Sequence, residues 1–416
     1  MAFRFIHAAD IHLDSPLLSL EEYPGAPLEE IRLATRKALA RLVDLAIESE
    51  ATFVVIAGDL FDGEWHNCNT GLYFVSQMKR LRAADIPVYI SLGNHDAANK
   101  GMTQALPWGD NVRFFDYRKP ERIEAAGGEA TLYSQSFRSR HITEDLTGAF
   151  PKGSAGTFNI GVLHTSVTGS SQHPLYAPCS IEGLLSHQYQ YWALGHIHTR
   201  SELARDPWVV FSGNIQGRNV REFGPRGCYL VDVDDCGSAS PAFEPLDTVR
   251  WEVLRLSASG ETSEDDLEEM AQRAIARTAA EAGDRTLALR FELVGHGPAW
   301  NHVAADISGW RARLRALAGD ASVPVHVEKL ELTPQQAAPA VPAIEAGPAG
   351  ELRALVNRFL EDPALLEELR ETFGELKTRL ESAVRVGEEC VDPQDPDLLR
   401  KSLYSIEPLL MKGEEK

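Results

Sequence analysis

Apolar positions in the first hundred residues fall into short runs separated by amphipathic stretches. Phe3 to Ala8 reads as a strand, residues 28–49 as a helix, and Phe53-Val54-Val55-Ile56-Ala57 as a β-rich run that stops at Gly58. A second helix is predicted over 69–84, and the strand Pro87-Val88-Tyr89-Ile90-Ser91-Leu92 ends at Gly93. This βαβαβ punctuation predicts a sheet with helices packed on its faces. Further strands near 158–163, 190–194, 208–211 and 227–233 are separated by shorter turns, so the following stretch is richer in β-structure.

The run Asp234-Asp235-Cys236-Gly237-Ser238-Ala239-Ser240-Pro241 stacks turn formers and small residues, and it predicts a domain boundary. The first domain is therefore expected over 1–235 and a small α+β domain over 245–333. In the latter, Trp251 to Leu256 is strand-like, and Ser263 with Asp266 three residues on resembles a helix N-cap before a helix to about residue 282. A strand over 286–294, a helix over 308–318 and a strand over 323–332 complete it. Residues 334–350, rich in Pro, Ala and Gly, read as a linker. Beyond it, 351–416 reads as helical: Leu352, Leu355, Val356 and Phe359, then Leu366, Leu369, Phe373, Leu376 and Leu380, keep 3- and 4-residue steps. Such a stripe needs a cover, either its own chain or a partner's helices.

Composition narrows the setting. The 416 residues, 44% hydrophobic and 25% charged, have the balance of a globular chain long enough for more than one core. The start runs from Met1 directly towards a motif at Asp10, no apolar run reaches the ~18 residues that span a bilayer, and the five cysteines form no C-x-x-C pair. A cytoplasmic protein without a membrane anchor or disulfide framework is expected. The formal net charge of −20 opposes a broad phosphate-binding surface, so any grip on a polyanion must be local, or be supplied by bound cations or a partner.

The chemistry is concentrated in five clusters: Asp10-Ile11-His12, Gly58-Asp59-Leu60-Phe61-Asp62, Gly93-Asn94-His95-Asp96, His164, and Gly195-His196-Ile197-His198. Each follows an apolar run, so the topology brings them to the carboxyl ends of strands, where open α/β sheets bind ligands. Asp10 and His12 can share a side of an extended segment, one Asp59 carboxylate can bridge two ions, and Asn94, His164, His196 and His198 add amide and imidazole donors. The mixed set suits manganese, iron or zinc better than magnesium or calcium. Two such ions about 3.5–4 Å apart can activate water and neutralise a phosphoryl group. His95 need not bind metal: it can protonate a leaving oxygen, with Asp96 expected to hold its tautomer. His7, inside a strand, reads as a core residue, His66 as a solvated loop residue, and His173 as a candidate to approach the site.

Taken with Ala9, Leu13 and Leu163, these motifs resemble the calcineurin-like metallophosphoesterase superfamily. More closely, they resemble its DNA-repair exonuclease branch, typified by the nuclease subunit of bacterial SbcCD. The resemblance covers residues 1 to about 235. It implies a four-layer α-β-β-α sandwich followed by a small capping domain and a helical segment that binds an SMC-like ATPase. It also implies one ion on Asp10, His12, Asp59 and His198, a second on Asp59, Asn94, His164 and His196, and His95 as the catalytic histidine. Manganese is the expected ion, DNA the expected substrate, and a homodimer is compatible with it. The segment Gly213 to Glu222 also resembles a stretch of these nucleases. There Arg218 and Arg221, and nearby Arg226, can fork onto backbone phosphates, as can Arg138 and Arg140.

Two features set the branch. Protein phosphatases of the superfamily show Gly-Asp-x-Val-Asp-Arg-Gly and Gly-Asn-His-Glu, whereas this chain has Gly63 directly after Asp62 and ends its third motif in Asp96. Some relatives carry histidine where Asp62 stands, leaving the role of that position open. The rival readings are a phosphatase for small-molecule or phosphoprotein monoesters and a fold retained without catalysis.

Overall fold

The structure is a computed structural model that describes residues 2–15, 26–62, 68–98, 105–167, 176–334 and 358. Its described residues divide into two compact units: those to Glu252 with Glu281–Ala288 and Val323–His326, and Val253–Ala280 with Leu289–Ser322 and the described chain from Val327.

The first unit is built on two six-stranded sheets. One runs in the order β12 (Ala239–Pro245), β11 (Gly227–Val233), β1 (Phe3–Ala8), β2 (Phe53–Ala57), β3 (Val88–Ser91), β4 (Val112–Phe114). The other runs β5 (Glu121–Ala125), β6 (Ala130–Ser134), β7 (Phe158–His164), β8 (Tyr191–Gly195), β10 (Trp208–Phe211), β9 (Ser201–Arg205). Strands β1 to β4 are mutually parallel, as are β6, β7, β8 and β10, while β11, β12, β5 and β9 run antiparallel to their neighbours. Parallel strands buried on both faces read as continuous apolar runs, which is why β2 and β8 are buried throughout and were visible in the sequence.

Alternation along β1 fixes the layers. Phe5 joins Phe53, Val55, Ile160, Val162 and Tyr191 in the layer between the sheets, with the Phe5 and Phe53 rings stacked 5.2 Å apart. His7 points the same way, 3.0 Å from the Tyr191 hydroxyl, and burial pushes its imidazole down to about 3, so it is the neutral core histidine expected. Ile6, with Val54, Ile56 and Ile90, meets Leu39, Leu42, Phe74 and Met78 from the helices Ala34–Glu48 and Cys68–Ala83. On the far face of the second sheet, Tyr133, Tyr189 and Trp192 are covered by Phe137, Leu146, Phe150 and the short helix Ile181–Leu185. This is the four-layer α-β-β-α order, with its last layer made largely of irregular chain.

Three expectations change. The helix expected over 28–49 breaks at Leu33 into Leu28–Arg32 and Ala34–Glu48. The turn-rich segment expected to end the first domain at 235 is instead a hairpin: Asp234 accepts from the backbone N–H of Cys236 (2.9 Å) and Ser238 (2.8 Å), Gly237 takes φ +79°, and β12 returns antiparallel along β11. Side-chain capping of a tight turn and a linker share the same residue types, so composition could not separate them. Strands β4, β5, β6, β9 and β12 went unread: β4 spans three residues, charges interrupt β5 and β9, and small and polar residues dilute the apolar ones in β6 and β12. The linker at 334–350 and the helices at 351–416 lie outside the described residues, apart from residues 334 and 358.

The second unit carries most of β13 (Val249–Ala258), β14 (Thr286–Gly295) and β15 (Val325–Pro334), which form one sheet, with most of helix Glu264–Ala282 and the helices Pro298–Ala305 and Ile307–Ala318. The first of these helices begins with a reciprocal cap: Asp266 N–H donates to Ser263 Oγ (3.1 Å), and Ser263 N–H to the Asp266 carboxylate (2.9 Å).

Gly161 on β7 stands opposite Trp192 on β8, and a Cβ there would lie 2.3 Å from the indole. Trp192 is pinned by its Nε1 bond to the Leu184 carbonyl (3.1 Å) and by Tyr189, so it cannot swing aside. Gly161→Ala is expected to lower stability by ~1–3 kcal/mol in thermal unfolding. Gly148→Ala, where a Cβ meets nothing within 4 Å, should leave the transition unmoved.

Candidate metal centre

The loops leaving β1 and β2 are zipped together by main-chain bonds from Asp10 N–H to the Gly58 carbonyl (3.0 Å), His12 to Asp59 (3.1 Å) and Leu13 to Leu60 (2.9 Å). Holding them costs backbone strain: Asp10, His12, Asp59 and His196 all take positive φ, at 50°, 42°, 52° and 100°. Such strain persists only where surrounding bonds over-determine it. Here the Asp10 carboxylate accepts from His196 N–H (3.1 and 3.0 Å), and Asp59 Oδ1 accepts from His95 N–H (3.0 Å). The motif glycines make room: a Cβ on Gly58 would sit 2.3 Å from His164 Nδ1, and one on Gly93 2.2 Å from Asp59 Oδ1.

These constraints bring lone pairs together. His164 Nδ1 lies 3.0 Å from the Ala57 carbonyl oxygen, which can only accept, so Nδ1 carries the proton and Nε2 presents a lone pair. That Nε2 faces Asn94 Oδ1 at 2.9 Å and Asp59 Oδ2 at 3.4 Å. His198 Nδ1 lies 2.7 Å from Glu222 Oε1, which likewise turns a lone pair on Nε2 towards His12 Nε2 at 3.1 Å and Asp10 Oδ1 at 3.9 Å. Asp59 Oδ2 sits between the two groups, 3.8 Å from His12 Nε2. The His196 ring packs 5.2 Å from that of His164. Asp10 and Asp59 are buried, and so are His12, Asn94 and His164.

Acceptors facing acceptors in a largely buried pocket are a fit for cations, and hydrogen bonds to the far nitrogen of an imidazole orient it as a ligand. Three ligand groups, Asp10–His12–His198, Asp10–Asp59–His164 and, at the rim, His12–Asp62–His95, each converge within the reach of one ion. Burial alone would depress the His164 imidazole, but Asp59 and Asp10 outweigh it and hold it at about 9. Burial pushes the Asp10 carboxyl up, and it drives His12 well down, helped by the Arg218 charge. Burial also opposes ionisation of Asp59, yet His164 and His12 hold its carboxyl well below the usual range.

His95 stands at the rim, its side chain 26% exposed, with Nδ1 3.2 Å from Asp62 Oδ1. Asp62, whose role the sequence left open, is thus the carboxylate beside His95, and it is itself held by Ser15 Oγ (2.7 Å). Asp96 does not serve that purpose. It sits on the first turn of helix Asn94–Ala98 and folds back to accept from the N–H groups of Gly93 (3.0 Å), Leu60 (3.0 Å) and Phe61 (3.3 Å), with burial pushing its carboxyl up to about 7. Its work is to tie the second and third motifs together.

The arginines also fall differently from expectation. Arg218 is nearly buried and directed at the Glu222 carboxylate (3.0 Å), not presented as an open fork. Arg226 is buried, with Nε on the Glu222 carbonyl (3.1 Å), a terminal nitrogen on that of Phe223 (2.8 Å) and another on that of His198, so it braces the loop and grips no phosphate. Arg221 is exposed on the turn Val220–Glu222, and Arg138 and Arg140 are exposed on a separate bend. His66 and His173 lie outside the described residues. The residue sequence reasoning missed is Glu222. It stood inside the segment singled out for its arginines, and nothing in one dimension signals that a carboxylate 24 positions after His198 folds back onto it.

Comparison with known proteins agrees with this geometry. The family model described as calcineurin-like phosphoesterase matches residues 3–200, and that described as metallophosphoesterase YhaO, middle domain, matches 251–334. The chain is 32% identical over 300 residues to the uncharacterized metallophosphoesterase YhaO of Bacillus subtilis (strain 168), covering 71% of this chain and 72% of that protein. It is 28% identical over 249 residues to the DNA double-strand break repair protein Mre11 of Saccharolobus solfataricus, covering 55% of this chain and 60% of that one. An Mre11 of Methanopyrus kandleri matches at 22% over 307 residues, covering 65% and 62%. The donor set and these matches lead to one conclusion: the chain belongs to the calcineurin-like metallophosphoesterase family.

Proposed function

We propose that this chain is a two-metal phosphodiesterase that hydrolyses DNA, acting as the nuclease subunit of a complex with an SMC-like ATPase. The observation that carries the phosphoester chemistry is the convergence of His164, Asn94 and Asp59 on one side, and His198, His12 and Asp10 on the other, beside a carboxylate-braced His95. What favours DNA is the similarity to proteins named for DNA double-strand break repair. The ATPase partner and a cytoplasmic setting fit a chain of net charge −20 that has no phosphate-binding Gly-x-x-x-x-Gly-Lys loop and, among its described residues, no helix long and apolar enough to cross a membrane. A homodimer is compatible with the same reading.

Asp10, His12, Asp59 and His198 would hold one divalent cation, and Asp59, Asn94, His164 and His196 the other. Manganese is the ion proposed, with iron or zinc suited to the same donors. Bound there, the ions supply positive charge for the phosphoryl oxygens and lower the pKa of water. The remaining steps belong to the chain. Ala57 and Glu222 keep His164 and His198 in the tautomer that offers Nε2. The Asp62 carboxylate orients His95 and favours its protonated form: burial lowers the imidazole pKa, but Asp62 and Asp59 together raise it above its ordinary value. A protonated His95 is placed to donate to the departing oxygen of the ester. Arg221, exposed on the turn Val220–Glu222, contributes a backbone-phosphate contact.

On defined DNA ends with manganese, His95→Ala should lower kcat by roughly 10²–10⁴-fold while metal content stays at the wild-type level. High turnover of a generic phosphomonoester without DNA cleavage would replace the nuclease reading with that of a phosphatase. Removing the Asp62 charge lowers the His95 pKa, so in Asp62→Asn the alkaline limb of the kcat profile should move to lower pH. A profile that keeps its position would detach Asp62 from proton donation. Arg221→Ala should weaken DNA binding uniformly across sequences and reduce the slope of log K against log salt by about 0.9, measured by salt titration.

A further inference from the structure

Glu222 is a buried carboxylate with all its acceptor capacity in use. Oε1 meets His198 Nδ1 at 2.7 Å and an Arg218 terminal nitrogen at 3.0 Å; Oε2 accepts from Asn214 Nδ2 at 2.7 Å and from the Arg218 main-chain N–H at 2.8 Å. The Arg218 guanidinium then reaches on to Asp62 Oδ2 at 3.8 Å, and Asp62 Oδ1 stands 3.2 Å from His95 Nδ1. A line of polar contacts, His198–Glu222–Arg218–Asp62–His95, therefore runs from a candidate metal ligand to the candidate proton donor.

Anchoring the loop does not require this arrangement, because Arg226 already bonds the carbonyls of His198, Glu222 and Phe223. Buried ion pairs are poor stabilisers compared with apolar packing, so stability is a weak reason for placing one here. Orientation is a better reason: carboxylates behind imidazole ligands set both tautomer and ring angle. Nor is Arg218 open to a phosphate, since its donors face the carboxylates of Glu222 and Asp62.

We propose that Glu222 and Arg218 are positioning residues. Glu222 fixes His198 with Nε2 towards the cation site shared with Asp10 and His12, and Arg218 ties that brace to the one Asp62 places on His95. The proposal rests on the two-cation reading of the centre and is independent of DNA being the substrate.

The test uses the full chain, calorimetric titration with manganese, and turnover of bis(p-nitrophenyl) phosphate, a diester without nucleic acid. Wild-type chain taking up fewer than two ions would remove the metal reading itself, and this proposal with it. With two ions bound, Glu222→Gln should weaken one of them about 10–100-fold and leave the other unchanged, with partial recovery in Glu222→Asp. Arg218→Lys keeps the charge but loses the fork. It should bind both ions as the wild type does, while kcat falls about tenfold at unchanged KM. Glu222→Gln binding both ions normally would overturn the role of Glu222, as would an equal loss of both accompanied by a lower metal-free melting temperature. Should that variant fail to fold, Arg218→Lys decides alone, and an unaltered kcat overturns the proposal.

Discussion

The structure depends on concentrating electron pairs of like character where two sheets end together. Asp59 is the pivot: one oxygen is spent on the His95 main chain, and the other lies within 3.8 Å of His12 and 3.4 Å of His164. Such a cluster is unfavourable in a protein interior unless protons or cations occupy it. The positive φ angles at Asp10, His12, Asp59 and His196 show the backbone held against its own preference to maintain it. The apolar layer between the sheets provides the stiffness for this, because close-packed interiors do not yield gradually.

Organisation outside the ligands follows the same logic. Groups that cannot themselves bind an ion act on those that can: Ala57 and Glu222 set tautomers, Asp96 joins two motifs through three main-chain donors, and Asp62 stands behind His95. Two of these carboxylates, Asp62 and Glu222, also flank Arg218, whose charge partly offsets theirs.

Much of this was legible in the sequence. Four of the strands that end at the motifs, β2, β3, β7 and β8, are fully buried, so they appear as largely apolar runs, and the chemistry follows each run directly: Asp59 and Gly58 after β2, Asn94 and His95 after β3, His164 at the end of β7. Local signals such as the Ser263–Asp266 cap are equally plain, since donor and acceptor lie three residues apart. What escaped is what arises only in three dimensions. Asp96 neighbours His95 in the chain, yet helical geometry turns its carboxylate back to Gly93 and the β2 loop. Asp62 reaches His95 from 33 positions away, and Glu222 reaches His198 from the far side of a hairpin pair. The turn at Asp234 misled because residues that interrupt a fold and residues that merely reverse a strand are the same residues.

The discontinuity of the first unit has a practical corollary for genetic dissection. Its chain runs to Glu252, leaves, and returns at Glu281–Ala288 and again at Val323–His326. A fragment ended at residue 235, as motif content alone would suggest, would strip β12 from the sheet edge and discard both returning segments. It would expose the hydrogen-bonding rim of β11 to association with other chains. The first unit of this polypeptide is consequently not released whole by a single cut.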